Sequence, residues 1–321
     1  MAIHEIPLAQ RTVHGHFSRE LEPILTIDSG DAIFFATLDA GWGRGPPPPE
    51  VGERWQLRPR ESERDSEGRP LGHALVGPVA VRGARPGAVL EVRIDEVRAG
   101  SWGWTWAGGW WSALGERLRL PDLDGHLLEW DLDGVAGLAR DRSGREVALR
   151  PFLGVLGMPP DEPGMHSTMP PRPTGGNIDC KELVEGSTLL LPIAVEGALF
   201  SAGDGHAAQG DGEVGQMAIE CPFERVQLTL TVRDDLALVT PQALTPTAWL
   251  AFGFDEDLDE AALQALNSML DLMERELELE RKEALALASV VVDLRVTQIV
   301  NRVRGVHARL SLAALERLRL A

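Results

Sequence analysis

The stretch Val79-Ala-Val-Arg-Gly-Ala-Arg-Pro-Gly-Ala-Val-Leu-Glu-Val-Arg-Ile-Asp-Glu-Val97 decides the fold class. Two β-rich runs flank Gly83-Ala84-Arg85-Pro86-Gly87, which carries turn-forming residues. In the second run Leu90, Val92 and Ile94 alternate with Glu91, Arg93 and Asp95. A period of two marks a strand with one face in a core and the other in water. Residues 187–194 and 226–232 read the same way, the latter placing Val226, Leu228, Leu230 and Val232 on one face. The 34 Gly and 22 Pro favour many short strands over long helices. The last quarter differs. From residue 257 to 281 Gly and Pro are scarce, and Leu258, Ala262, Leu266, Met269, Leu270 and Met273 fall at helical spacing with acids between them. Residues 284–300 form a second apolar segment, open to either a buried helix or a strand. The pattern predicts a mainly β chain, α+β overall: a β body over 1–250 with a helical segment over 251–321 packed on it. Within the body, residues 41–72 hold Pro46-Pro47-Pro48-Pro49 and then a charged stretch, and read as a long surface loop.

At 321 residues the chain can bury a large core without disulfides. Acidic residues outnumber basic ones 49 to 31, a net charge of −18. Such a surface repels phosphate backbones and anionic lipid, so nucleic acid and membrane are not expected partners. No run is apolar enough to span a bilayer, and residues 1–10 lack a secretion-signal pattern. Cys180 and Cys221 are too few for a disulfide scaffold or a four-thiolate zinc site, which points to a reduced, cytoplasmic setting.

Chemistry concentrates in Ser201-Ala-Gly-Asp-Gly-His-Ala-Ala-Gln-Gly-Asp-Gly-Glu213, read as a polar loop after the apolar run 189–200. Asp204, His206, Asp211 and Glu213 can ligate metal or move protons, and the interleaved glycines let backbone approach a ligand closely. A solvated turn is the alternative. Gly175-Gly176-Asn177-Ile178-Asp179 offers consecutive backbone N–H groups and two polar side chains, or an ordinary β-turn. Asp39 ends the apolar run 32–36, and His73 precedes Gly77-Pro78. Five of the nine tryptophans lie within residues 102–111, and an extended backbone puts Trp102, Trp104 and Trp106 on one face. That face suits a core, a subunit interface or an apolar wall for a ligand. The interface reading suggests a homodimer or higher homo-oligomer. There is no Gly-x-Ser-x-Gly elbow and no dinucleotide fingerprint in context.

The strings Gly175-Gly-Asn-Ile-Asp179, Glu185-Gly-Ser-Thr188, Gly197-Ala-Leu-Phe200, Gly203-Asp-Gly-His-Ala-Ala-Gln-Gly-Asp-Gly-Glu213 and Val291-Val-Asp-Leu-Arg-Val-Thr-Gln-Ile-Val-Asn301 resemble the acetamidase/formamidase family. Phe35-Ala-Thr-Leu-Asp-Ala40 and Gly77-Pro78 match as well, and the matches run in family order over most of the chain. The resemblance implies a β-sandwich body with a small helical C-terminal part. It also implies hydrolysis of a small, neutral linear amide of the formamide or acetamide type to a carboxylate and ammonia.

Amide hydrolysis needs a nucleophile, a polarised carbonyl and a proton for the leaving amine. Without a serine elbow, a metal-activated water is the economical choice, with zinc as the expected ion and calcium as the alternative. At the matching positions chemistry assigns His206, Asp39 and Asp179 as metal ligands, with His73, just ahead of the Gly77-Pro78 match, as a further one. Glu213 becomes ligand or general base, Asp204 the acid that orients His206, and Asn177 or the N–H groups of Gly175 and Gly176 the oxyanion donor. The competing enzyme reading makes Cys180 the nucleophile. A non-catalytic reading makes the chain a binding protein whose Asp204, Asp211 and Glu213 hold calcium, against which stands His206, a nitrogen ligand at the motif's centre.

Overall fold

The computed structural model describes residues 1–43, 72–108, 113–120 and 125–319. Most of the loop expected over 41–72, and Trp110 and Trp111, lie outside the described residues.

The turn at Gly83–Gly87 passes the chain from one sheet to another. Leu75–Val81, buried along its whole length, belongs to a seven-stranded sheet among the described residues. Val89–Ala99 belongs to a nine-stranded one. Leu90, Val92 and Ile94 are fully buried while Glu91, Arg93 and Asp95 keep solvent contact, as the alternation requires. Phe223–Arg233 pairs antiparallel with it and buries Val226, Leu228 and Leu230. One contiguous core takes Leu90, Val92 and Ile94 from the nine-stranded sheet and Val76, Val79, Leu153, Leu156 and Phe200 from the seven-stranded one. Apolar inner faces on two sheets are what close a sandwich. A third sheet of four strands, from Trp102–Ala107 to Glu146–Ala148, adds Trp130 and Leu132 to the same core.

The last quarter is helical only in part. Leu258–Leu277 starts where Asp257 accepts hydrogen bonds from the backbone N–H groups of Asp259 and Glu260, a standard N-cap. The second apolar segment resolves into both of its readings, a helix over Arg281–Val291 followed by a strand over Val292–Gln298. That strand and Arg304–Ser311 extend the nine-stranded sheet next to Ala248–Asp255, which spans residue 250. The long helix lies on this extension through Ala261, Ala265, Met269, Leu272 and Met273. This stripe is turned from the expected one, leaving Leu258, Ala262 and Leu266 half-buried. Small residues allow a close approach: a Cβ on Gly253 would lie 2.0 Å from the Ala261 carbonyl oxygen.

Candidate metal centre

The Gly-Asp-Gly-His string is not a loop. Phe200–His206 is a strand, buried at every residue, between Phe152–Gly157 and Leu75–Val81. Glycine makes this possible. A Cβ on Gly205 would meet the Cys221 carbonyl oxygen at 2.5 Å and the Phe223 ring at 2.6 Å. The bare position lets the chain pack there while His206 points into the site. Residues 218–221 then cross between two sheets. The backbone of Glu220 pairs with Trp104 in both directions, at 2.8 and 2.9 Å, and Cys221 N–H donates to Gly205 at 2.8 Å. That stitching places Glu220 beside His206.

Two overlapping groups of ligand atoms result: Asp204, His206 and Glu220, and Asp179, His206 and Glu213, all buried. Within each group the atoms lie within 4.8 Å of one another. The imidazole distinguishes the groups. Its Nδ1 is 2.9 Å from Gln209 Oε1, while Gln209 Nε2 donates to the Asp179 carbonyl oxygen at 2.8 Å. Gln209 therefore accepts from Nδ1–H, and Nε2 is the nitrogen left for the cluster. Nε2 faces Asp204 Oδ1 at 3.3 Å and Glu220 Oε2 at 3.4 Å. Asp179 Oδ1 stands 3.9 Å from the occupied Nδ1. The Phe152 ring meets the imidazole edge-on at 5.1 Å.

The electrostatics are unbalanced. Four carboxylates surround one imidazole. One oxygen each of Asp179, Asp204, Glu213 and Glu220 is buried without a hydrogen-bond partner. Burial by itself depresses the imidazole's proton affinity, but Glu220 and Asp204 together outweigh it and hold the His206 pKa well above its usual value. Burial likewise opposes ionisation of Asp204, yet His206 and the other partners bring its pKa to about 2. Asp179 and Glu213 go the other way: burial first, then neighbouring carboxylates, raise Asp179 to about 8 and push Glu213 well up. Asp179, Asp204 and Glu213 all have left-handed backbones, with φ of 52°, 61° and 45°. Such angles in non-glycine residues often mark sites held by the surrounding fold.

A cavity of about 700 Å³ opens onto the cluster, and His73, Asn177, Asp204, His206, Glu213, Glu220 and Asn301 are among the residues that line it. His73 belongs to neither ligand group, and its Nδ1 lies 2.9 Å from Thr168 Oγ1. Asp39 is drawn off as well. One of its oxygens accepts from Gly43 N–H and the other from Trp104 Nε1, at 3.1 Å. It supports the tryptophan wall instead of the centre. Trp104 and Trp106 line the cavity and Trp102 does not. Asn177 Nδ2 donates to the Met169 carbonyl oxygen at 3.1 Å, so Oδ1 is its unpartnered atom and the side chain is set up as an acceptor. Gly175 and Gly176 sit in a strand paired on both sides. Neither feature suits an oxyanion donor.

Asp211 is tied to Arg295 and to Lys181, the latter at 3.1 Å, so Asp204, Asp211 and Glu213 do not form one oxygen set. Cys180 is buried, lies outside the cavity lining, and burial pushes its thiol to about 12. A buried thiol held in its protonated form does not suit a nucleophile.

Four participants escape the sequence reading: Glu220, Gln209, Asn301 and Gly154. Glu220 left a signal as the single acid of Met217-Ala218-Ile219-Glu220-Cys221. Gly154 left none. A Cβ there would stand 2.3 Å from Asp204 Oδ2, 2.7 Å from Asp179 Oδ1 and 2.9 Å from His206 Cε1.

The model of the acetamidase/formamidase family matches residues 162–313, which carry Asn177, Asp179, the Gly-Asp-Gly-His strand, Glu213, Glu220 and Asn301. A putative formamidase of Schizosaccharomyces pombe is 26% identical over 77% of this chain and 74% of its own. The crystal structure of an acetamidase from Bacillus halodurans superposes with a TM-score of 0.81 at 29% identity, over 98% of this chain and 100% of that one. That of a predicted acetamidase/formamidase from Thermoanaerobacter tengcongensis gives 0.83 at 25% identity, over 98% of each. In motifs and in fold, the chain is similar to the acetamidase/formamidase family.

Proposed function

We propose that the chain hydrolyses the C–N bond of a linear amide to a carboxylate and ammonia, with a divalent metal, zinc by preference, held by Asp204, His206 and Glu220. The observation that supports the metal is the charge imbalance: four buried carboxylates, each with an unpartnered oxygen, face one imidazole. Uncompensated buried charge costs several kcal/mol, and a divalent cation offsets two of these charges. Two carboxylates with an imidazole nitrogen suit zinc, whereas calcium takes oxygen alone. When bound, such an ion polarises the amide carbonyl and lowers the pKa of a water.

The chain's own groups do the rest. Gln209 fixes the tautomer that leaves Nε2 available. Asp179 and Glu213, close together with raised pKa values, cannot both ionise readily, and the pair holds a proton. Glu213, whose Oε2 is unpartnered, takes the proton of the attacking water and returns it to the departing nitrogen. Asn301 Nδ2, donating to Asp179 Oδ2 at 2.8 Å, fixes the other half of the pair. Asn177 Oδ1 accepts a hydrogen bond from the substrate's –NH₂ group.

Ammonia release from formamide and acetamide, before and after chelation and with zinc add-back, tests this reading. Loss on chelation with recovery on zinc supports it. Release indifferent to chelators overturns the metal.

Among the described residues no helix is long and apolar enough to cross a membrane. Cytoplasmic residence belongs to the same reading and is supported by two free, buried cysteines. A homodimer or higher homo-oligomer belongs to the same reading, although Trp104 and Trp106 serve as cavity walls and Trp110 and Trp111 lie outside the described residues. The frequency of two-fold assemblies supports it, and sedimentation tests it.

A further inference from the structure

The cavity is far larger than the cluster needs. Formamide and acetamide have three and four heavy atoms, while about 700 Å³ falls in the range that encloses drug-sized ligands. Beyond the ionisable cluster, its lining includes Trp42, Trp104, Trp106, Leu127, Met169 and Met217.

The three indoles are committed by their polar edges. Trp104 Nε1 donates to Asp39, Trp106 Nε1 to the Gly108 carbonyl oxygen at 2.9 Å, and Trp42 Nε1 to the Gly72 carbonyl oxygen at 2.9 Å. With every N–H already bonded, the wall offers the ligand carbon and π-surface rather than donors. The bonds also hold the indoles in place, so a ligand pays little to order them. Asp39, buried and with both oxygens engaged, is the anchor of this wall. The Gly125 backbone fits closely behind Trp106: a Cβ there would lie 2.0 Å from the indole Nε1.

Charge narrows the ligand further. Among the described lining residues there is no Lys or Arg, and the charged groups are carboxylates and histidines. A substrate with a second carboxylate would enter a negative cavity without a counter-charge. The neutral amide group belongs at the cluster and an uncharged, apolar group belongs against the wall.

Resting on the amidase reading above, we infer that the substrate is a neutral primary amide whose acyl part carries an aromatic-sized apolar group, with Trp104 and Trp106 as the residues that determine that specificity. The reaction is R–CO–NH₂ + H₂O → R–COO⁻ + NH₄⁺: the C–N bond breaks, a C–O bond forms, and the protons released by water and acid end on nitrogen. The apolar R group takes no part in the chemistry and contributes by burial alone.

The test compares kcat/KM for formamide, acetamide and phenylacetamide on the metal-replete full chain, wild type and with Trp106→Ala and Trp106→Phe. Binding of phenylacetamide and acetamide is followed in parallel by tryptophan fluorescence. Phenylacetamide is expected to exceed acetamide at least tenfold in kcat/KM. Trp106→Ala should lower that ratio at least tenfold, chiefly through KM, and Trp106→Phe should restore most of it. Ammonia from acetamide at equal or greater efficiency than from phenylacetamide overturns the inference while the amidase reading stands. No ammonia from any amide overturns the amidase reading. In that case fluorescence decides the inference: saturable phenylacetamide binding at least tenfold tighter than acetamide upholds the apolar site, and equal or absent binding overturns it.

Discussion

Replacing Gly154 by Ala adds one methyl group at the centre of the cluster. Gly154 is on the strand Phe152–Gly157, beside Phe200–His206, and its backbone is not in the left-handed region, so alanine meets no torsional objection. The obstacle is space. The new Cβ would stand 2.3 Å from Asp204 Oδ2 and 2.7 Å from Asp179 Oδ1, where ordinary contact begins at 3.4 Å. Relief requires the two carboxylates to retreat by about 1 Å and 0.7 Å together or the strand to shift. Neither carboxylate can retreat without disturbing the cluster: Asp179 is buried and held by Asn301, and Asp204, which lines the cavity, would turn away from His206. Overpacking of this kind costs about 1–3 kcal/mol, or a Tm loss of about 2–4 °C per kcal/mol in a chain of moderate size. The functional cost is larger, because a displacement of about 1 Å at a reacting centre costs about 100-fold. We therefore expect Gly154→Ala to fold, to lose at least about 100-fold in ammonia release and to bind zinc more weakly. Circular dichroism, a melting curve and a zinc titration run on one sample separate these effects. A folded Gly154→Ala protein with wild-type turnover and zinc affinity would refute the assignment of the cluster as the reacting centre.

Arg295 bridges Glu182 and Asp211, joining the segment after Asp179 to the loop before Glu213. Arg295→Gln should cost about 1.5–3 kcal/mol, read by denaturant melting, with a fall in kcat that exceeds the change in KM. The buried Glu182 keeps Arg309 and His307, which limits the loss. Cys180→Ala should keep ammonia release within about threefold and remain insensitive to thiol alkylation, since a buried, un-ionised thiol contributes packing alone. Burial lowers the His14 pKa to about 4 from 6.5, against the bond its ring makes to the His16 carbonyl oxygen. The unfolded chain then binds the extra proton first, so this contribution is complete above pH 6.5 and is lost as the pH falls toward 4. Melting curves at pH 7.5 and 4.5 should show a smaller acid-induced drop for His14→Gln than for wild type.

How far the sequence reaches depends on the length scale of the signal. Period two along residues 90–94 reports a local property, and that strand forms as read. The same holds for the helix after Asp257, whose cap and spacing lie within a few residues. The buried face of that helix was harder to place, because Gly253 on another element decides how closely Ala261 and Ala265 approach. Asp204, His206, Glu213 and Asp179 were legible because acids and a histidine stand among glycines where a core cannot be built from side chains. Their secondary structure was misread for the same reason: composition suggested a loop, but glycine opposite Phe223 lets a polar strand lie inside a sheet. Asp39 reached the site region with a different task, since its oxygens answer to Gly43 and Trp104, partners that only the fold brings near. Glu220 is set by cross-sheet backbone bonds to Trp104 and Gly205, far beyond any window of sequence.

The central claim is that Asp204, His206 and Glu220 hold a catalytic metal while Glu213 moves protons. Zinc content after anaerobic purification and dialysis, measured for wild type, Glu220→Gln and Glu213→Gln, addresses it directly. The account predicts bound zinc in wild type and in Glu213→Gln, zinc lost from Glu220→Gln, and ammonia release abolished in both variants. A wild-type protein that turns over amide without metal, or zinc that departs with Glu213 and stays with Gln at position 220, would contradict it.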